Sequence, residues 1–97
     1  METTALERAV IGSLLADQEV HSMKSTVDFG AVTVSDRDLT GLGFLTELER
    51  CDALKLFADA VSLRWGKVGA KLNRTKVETG YLVYVDGGYV TTVEGYT

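Results

Sequence analysis

The stretch "TALERAVIGSLLADQE" carries Leu6, Val10 and Leu14 at intervals of four, with Ile11 and Leu15 beside them, so one broad side of a helix is apolar. Thr4 stands three residues before Glu7, the spacing of a capping box in which each side chain satisfies a backbone N–H of the other residue. Gly12 weakens this helix and the polar run "EVHSMKS" ends it. At 30–36, "GAVTVSD" sets Ala31 and Thr33 against Val32 and Val34, which predicts a strand, and "SDRD" reads as the turn that follows it. "KVGAKLN" at 67–73 alternates Val68, Ala70 and Leu72 with Lys67, Lys71 and Asn73, as a half-exposed strand does. In "GYLVYVDGGYVTTVEGYT" two β-rich runs flank Asp86-Gly87-Gly88, the composition of a tight hairpin. Tyr81, Val83 and Val85 share one face of its first strand, and Leu82 and Tyr84 share the other. Both faces are apolar, so this strand belongs inside a sheet and is covered on at least one side.

The middle of the chain supports two readings. Phe44, Leu48, Cys51, Leu54, Phe57 and Val61 fall three or four apart, as on a helix that would follow a strand and the Gly41-Leu42-Gly43 segment. The same residues near the glycines also alternate as in a strand, with Leu42, Phe44 and Leu48 inward and Gly43, Glu47 and Glu49 outward. Residues 52–60 are then a short helix or a loop.

Composition narrows the class. A chain of 97 residues forms one domain, here taken as 1–97, and buries roughly 65% of the surface that its unfolded form exposes. The hydrophobic fraction of 45% supplies an ordinary core, with an expected stability on the order of 5–10 kcal/mol. Cys51 is the sole cysteine and cannot form an internal disulfide, and no signal-peptide pattern opens the chain, so the expected setting is reducing and cytoplasmic. No apolar run approaches the ~20 residues that cross a bilayer. Proline is absent and turns fall to Gly, Asp and Asn. The net charge of −4 argues against general nucleic-acid binding.

Candidate chemistry is sparse. Gly41 and Gly43 resemble a phosphate loop only in part: Thr46 stands where a dinucleotide fingerprint needs a third glycine, and no Gly-Lys-Ser/Thr follows. A strand whose glycines admit an aromatic ring or a bulge explains them better, and Tyr81, Tyr84, Tyr89 or Tyr96 could fill that space. His21 and Cys51 each lack the partners that nucleophilic catalysis or a zinc site requires. Asp36, Asp38 and Glu47 could hold a cation, but read first as turn and surface acids. No metal, cofactor or catalytic residue is assigned. Arg64, Lys67, Lys71, Arg74 and Lys76 form a basic run around Trp65, while Asp36, Asp38, Glu47, Glu49 and Asp52 form an acidic group. If their strands are neighbours, cross-strand pairing cancels both.

Arg37, Thr40, Gly41, Gly43, Phe44 and Thr46 spell R-x-x-T-G-x-G-F-x-T. Gly80-Tyr81-Leu82-Val83-Tyr84, Asp86-Gly87 and Val93-Glu94-Gly95-Tyr96-Thr97 follow in the second half, with "GKVGAKL" between. In order and spacing, residues 30 to 97 resemble a family of small, uncharacterised bacterial proteins. Two features depart from that pattern: similar proteins tend to continue past Tyr-Thr, and here Gly88 follows Gly87 in the turn. The resemblance implies an α+β domain with "TGLGFLTELE" as a strand and brings no mechanism.

The resulting expectation is an N-terminal helix packed on an antiparallel sheet of about five strands with a C-terminal β-hairpin. The leading function is a non-catalytic binding or interaction protein of bacterial or mobile-element origin, acting through a sheet face on another protein or on itself as a homodimer. One alternative is a small-ligand binder or enzyme whose pocket has Gly41 and Gly43 as its floor and Arg37, Thr40 and Glu94 at its rim. Another is an acidic inhibitor or immunity-type protein, which requires an acidic surface that the basic run does not cancel.

Overall fold

In the computed structural model the chain is described at residues 1–41, 43–71 and 78–96, with only the backbone described at Thr40, residues 67–71, Glu78 and Thr79. Helix α1 spans Ala5–Ala16, and its start is set by the expected capping box. Glu7 N–H donates to Thr4 Oγ1 at 3.1 Å, and Thr4 N–H donates to Glu7 Oε1 at 2.7 Å. Val10, Ile11 and Leu14 are buried on the face that the periodicity selects. Its C-cap, Asp17, accepts the indole N–H of Trp65 at 2.7 Å, which ties this end of the helix to the sheet.

Five strands follow: β1 (Val34–Thr40), β2 (Gly43–Leu48), β3 (Leu63–Lys71), β4 (Glu78–Asp86) and β5 (Tyr89–Tyr96). They form one sheet in the order β1-β2-β5-β4-β3, with every neighbouring pair antiparallel. The architecture is the α+β helix-on-sheet arrangement that the sequence predicts. β4 lies between β5 and β3, as its two apolar faces require. The connection from β2 to β3 crosses the hairpin end of the sheet through a short 3₁₀ turn at Asp52–Leu54. Leu54, Leu56 and Phe57 of that connection are buried with Val90, Val93 and the helix.

The structure departs from the sequence expectation at β1 and decides between the two readings at β2. The strand expected at 30–36 begins later, after a 3₁₀ turn at Phe29–Ala31, and "SDRD" is no turn. Ser35 to Asp38 lie inside β1, because a bulge between Val34 and Asp36 lets Asp36 and Asp38 point outward while Arg37 points under the helix. The stretch from Gly43 to Leu48 is a strand, which settles the helix alternative for those residues. Phe44, Thr46 and Leu48 take the inward face, with Gly43, Leu45 and Glu47 on the other; Leu42 lies outside the described residues.

The register sorts side chains onto the two faces of the sheet. Arg37, Thr46, Val93, Val83 and Trp65 form one row on the helix side. Asp38, Leu45, Glu94, Leu82 and Gly66 form the adjacent row on the opposite side, as do Asp36, Glu47, Thr92, Tyr84 and Arg64. Among the described residues no helix or strand covers that second face.

Candidate functional site

Beneath the helix, the side chain of Glu7 is 1% exposed and meets Arg37 of β1. Arg37 Nε donates to Glu7 Oε2 at 2.9 Å and Nη2 to Glu7 Oε1 at 2.7 Å, a two-pronged pair. Thr46 of β2, fully buried, donates its hydroxyl to Glu7 Oε2. Arg37 also donates to the Glu2 carbonyl at 3.0 Å and reaches Met1 Sδ at 3.0 Å. Burial alone would raise the Glu7 carboxyl. The hydrogen bonds from Arg37, Thr46 and the Thr4 backbone, with the charge of Arg37, outweigh it and hold the group below its ordinary range. Arg37 is correspondingly raised, first by its hydrogen bond to Glu7. This cluster joins helix to sheet and closes the N-terminal end of the core.

The residues proposed to rim a pocket are thereby separated. Arg37 faces the helix, whereas Glu94 lies one row away on the uncovered face. Thr40 and Gly43 are backbone partners where β1 meets β2, and Gly41 is an exposed turn residue with open space where a Cβ would sit. The structure brings Thr40, Gly41 and Gly43 together at one end of the sheet and does not bring Arg37 and Glu94 together. Gly43 exists for backbone proximity: a Cβ there would lie 2.9 Å from Tyr96 Cα and closer still to the Gly95 carbonyl. No tyrosine occupies that space. The ring of Phe44 covers Gly95, and the ring of Tyr96 covers Gly80.

On the uncovered face, Tyr84 Oη donates to Glu94 Oε2 at 2.9 Å across β4 and β5. That bond, with burial and the carboxylate charge, raises the Tyr84 phenol, while nearby Arg64 opposes the rise. Leu45, Leu82 and Tyr84 are half-buried on this face and Tyr96 is 36% exposed. Glu94→Gln keeps an oxygen acceptor for Tyr84, so stability should change by less than about 1 kcal/mol in urea denaturation. The phenol should titrate closer to its ordinary value of 10.0, as read by ultraviolet absorbance.

The acidic and basic segments are not neighbours. β1 and β3 are the two edges of the sheet, so cross-strand pairing of Asp36, Asp38 and Glu47 with Arg64 is not formed; the side chains of Lys67 and Lys71, and Arg74 and Lys76 as a whole, lie outside the described residues. Asp36, Asp38 and Glu47 do not converge as cation ligands either, and no group of three or more His, Cys, Asp and Glu does so among the described residues. Cys51 is half-buried against the core and His21 is exposed. No described helix is long and apolar enough to cross a membrane.

Sequence reasoning found Thr4, Glu7 and the hairpin but missed that Glu7 reaches Arg37 and Thr46. The signal lay in the non-local register, which the capping spacing does not carry. No family model, curated protein or solved structure matches the chain.

Proposed function

We propose that the protein is a non-catalytic interaction module that works through the sheet face opposite α1. One observation carries this reading: the helix covers one side of a five-stranded sheet, while Leu45, Leu82, Tyr84 and Tyr96 remain on the other with no described element above them. A half-apolar surface with tyrosines among polar groups is the composition of a recognition surface. The carboxylate of Glu7 and the guanidinium of Arg37 on the helix side are bonded to each other, which supports a structural role for that pair.

Affinity capture from host extract with the wild-type chain and with Leu45→Lys as baits tests the proposal. The substitution is on a half-buried strand position facing away from the core, so the variant should fold. Proteins retained by the wild type should be lost from the variant. Equal retention on both baits overturns the assignment of this face.

A further inference from the structure

The uncovered face is electrically lopsided. Asp36 of β1 and Glu47 of β2 are direct cross-strand partners, and Asp38, Leu45 and Glu94 occupy the next row. Adjacent strands lie about 4.8 Å apart and residues of one strand face about 6.8 Å apart, so Asp36, Asp38 and Glu47 fall within about 8 Å of one another, roughly one Debye length at physiological salt, with Glu94 two strands from β1. They act on an approaching partner as one field. The ion pairs among the described residues join Arg37 to Glu7, Arg50 to Asp86 and Lys55 to Asp59, and none includes these carboxylates. Arg64, the described cation on this face, lies across the sheet on β3. Like charges directly opposite on neighbouring strands destabilise a sheet, so the fold gains nothing from this placement.

We infer that the face docks a protein partner presenting arginine and lysine side chains beside an apolar centre. The inference rests on the reading of this face as the interaction surface and names the partner's chemistry. Leu45, Leu82 and Tyr84 supply the part that loses water on contact; Asp36, Asp38 and Glu47 lie on its β1 side, and Glu94, which accepts from Tyr84, lies between Leu45 and Leu82. Nucleic acid and anionic lipid are repelled by the same field. A second copy of the chain is a poor occupant. A two-fold axis along the strands through the centre stacks β5 on β5 and β1 on β3, which brings Asp36 over Arg64 but leaves Asp38 over Gly66 and Glu94 facing Glu94. An axis across the strands stacks β1 and β2 on their own copies, with Asp36, Asp38 and Glu47 meeting their own kind. The first arrangement neutralises one of the four carboxylates and the second none, so a second copy matches this field less well than a partner that brings several cations.

The test uses a displayed library of random peptides selected on the wild-type chain, with counter-selection on the triple variant Asp36→Asn, Asp38→Asn, Glu47→Gln. These side chains are exposed, so the variant should keep or slightly raise its melting temperature. Enriched peptides should carry Arg or Lys together with an apolar residue and shift the amide resonances of Leu45, Thr92 and Glu94. Their affinity should fall about tenfold or more from low salt to ~0.5 M and by a similar factor on the triple variant. Peptides that map to this face but show no basic enrichment and no salt dependence overturn the partner chemistry and leave the face assignment standing. Binding that maps elsewhere, or no enrichment at all, overturns both. Sedimentation showing a wild-type dimer that Leu45→Lys dissociates also overturns the partner chemistry, since the face is then occupied by a second copy.

Discussion

Glu7→Ala is expected to lower the unfolding free energy by about 3–5 kcal/mol, the cost of removing one partner from a buried ion pair. At about 4–8 °C per kcal/mol for a domain of this size, the midpoint should drop by more than about 10 °C in a calorimetric scan. Several losses coincide in that one side chain. Arg37 keeps its charge under the helix without a carboxylate, the buried Thr46 hydroxyl loses its acceptor, and Thr4 N–H loses its half of the capping box. Arg37 is 17% exposed and can reach some water, which favours the lower end of the range. Arg37→Ala should be nearly as damaging, and the double variant much less damaging than the sum, since the second substitution removes the charge that the first one stranded. Near-additive losses would show that the pair is not coupled.

The same cluster fixes an acid limb of stability. The folded-state carboxyl of Glu7 lies below its ordinary value of 4.5, so its contribution is present in full above that value and is lost as the pH falls through the folded-state pKa. Unfolding free energy should therefore fall with decreasing pH below about 4.5 in the wild type and fall less steeply in Glu7→Gln, which carries no titrating group at that position. Equal slopes in the two proteins would place the acid sensitivity elsewhere.

Legibility in the sequence followed the range of the interactions. The capping box, the apolar stripe Val10, Ile11 and Leu14, and the hairpin at Gly87-Gly88 are each set by residues a few positions apart, and each was readable. β1 was not. Its inward residues Val34 and Arg37 are three apart because Ser35 sits in a bulge, and this breaks the period of two on which a strand reading depends. With that alternation hidden, the polar run "SDRD" had the composition of a turn. The pairing of Arg37 with Glu94 failed for a related reason. Motif order places both residues near the glycines, but only the β2–β5 register, with Thr46 opposite Val93 and Leu45 opposite Glu94, shows that they occupy opposite faces. The separation of acidic and basic edges is likewise a matter of strand order, which the long connection after β2 decides.

That connection makes Gly88→Ala the second severe substitution, with an expected loss of about 2–4 kcal/mol in denaturant titration. Both turn residues have positive φ, 58° at Gly87 and 86° at Gly88, yet their surroundings differ. At Gly87 the nearest atom to an added Cβ is the Asp59 carbonyl at 3.9 Å, so Gly87→Asn, a residue that tolerates this backbone region, should cost less than about 1 kcal/mol. At Gly88 an added Cβ would lie 2.7 Å from the Ala58 carbonyl and nearer still to that of Phe57, and backbone does not rotate away. The turn is also where the crossing segment is held. Gly88 C=O accepts from Leu56 and Phe57 N–H at 3.0 and 3.1 Å, and Gly88 N–H donates to Val61 C=O at 2.9 Å. A Cβ would push this segment outward and draw Leu54, Leu56 and Phe57 away from Val90 and Val93. The loss should therefore be accompanied by faster amide exchange at Leu56 and Phe57. If Gly88→Ala and Gly87→Asn prove equally mild, the hairpin end does not anchor the connection that carries the chain from β2 to the far edge.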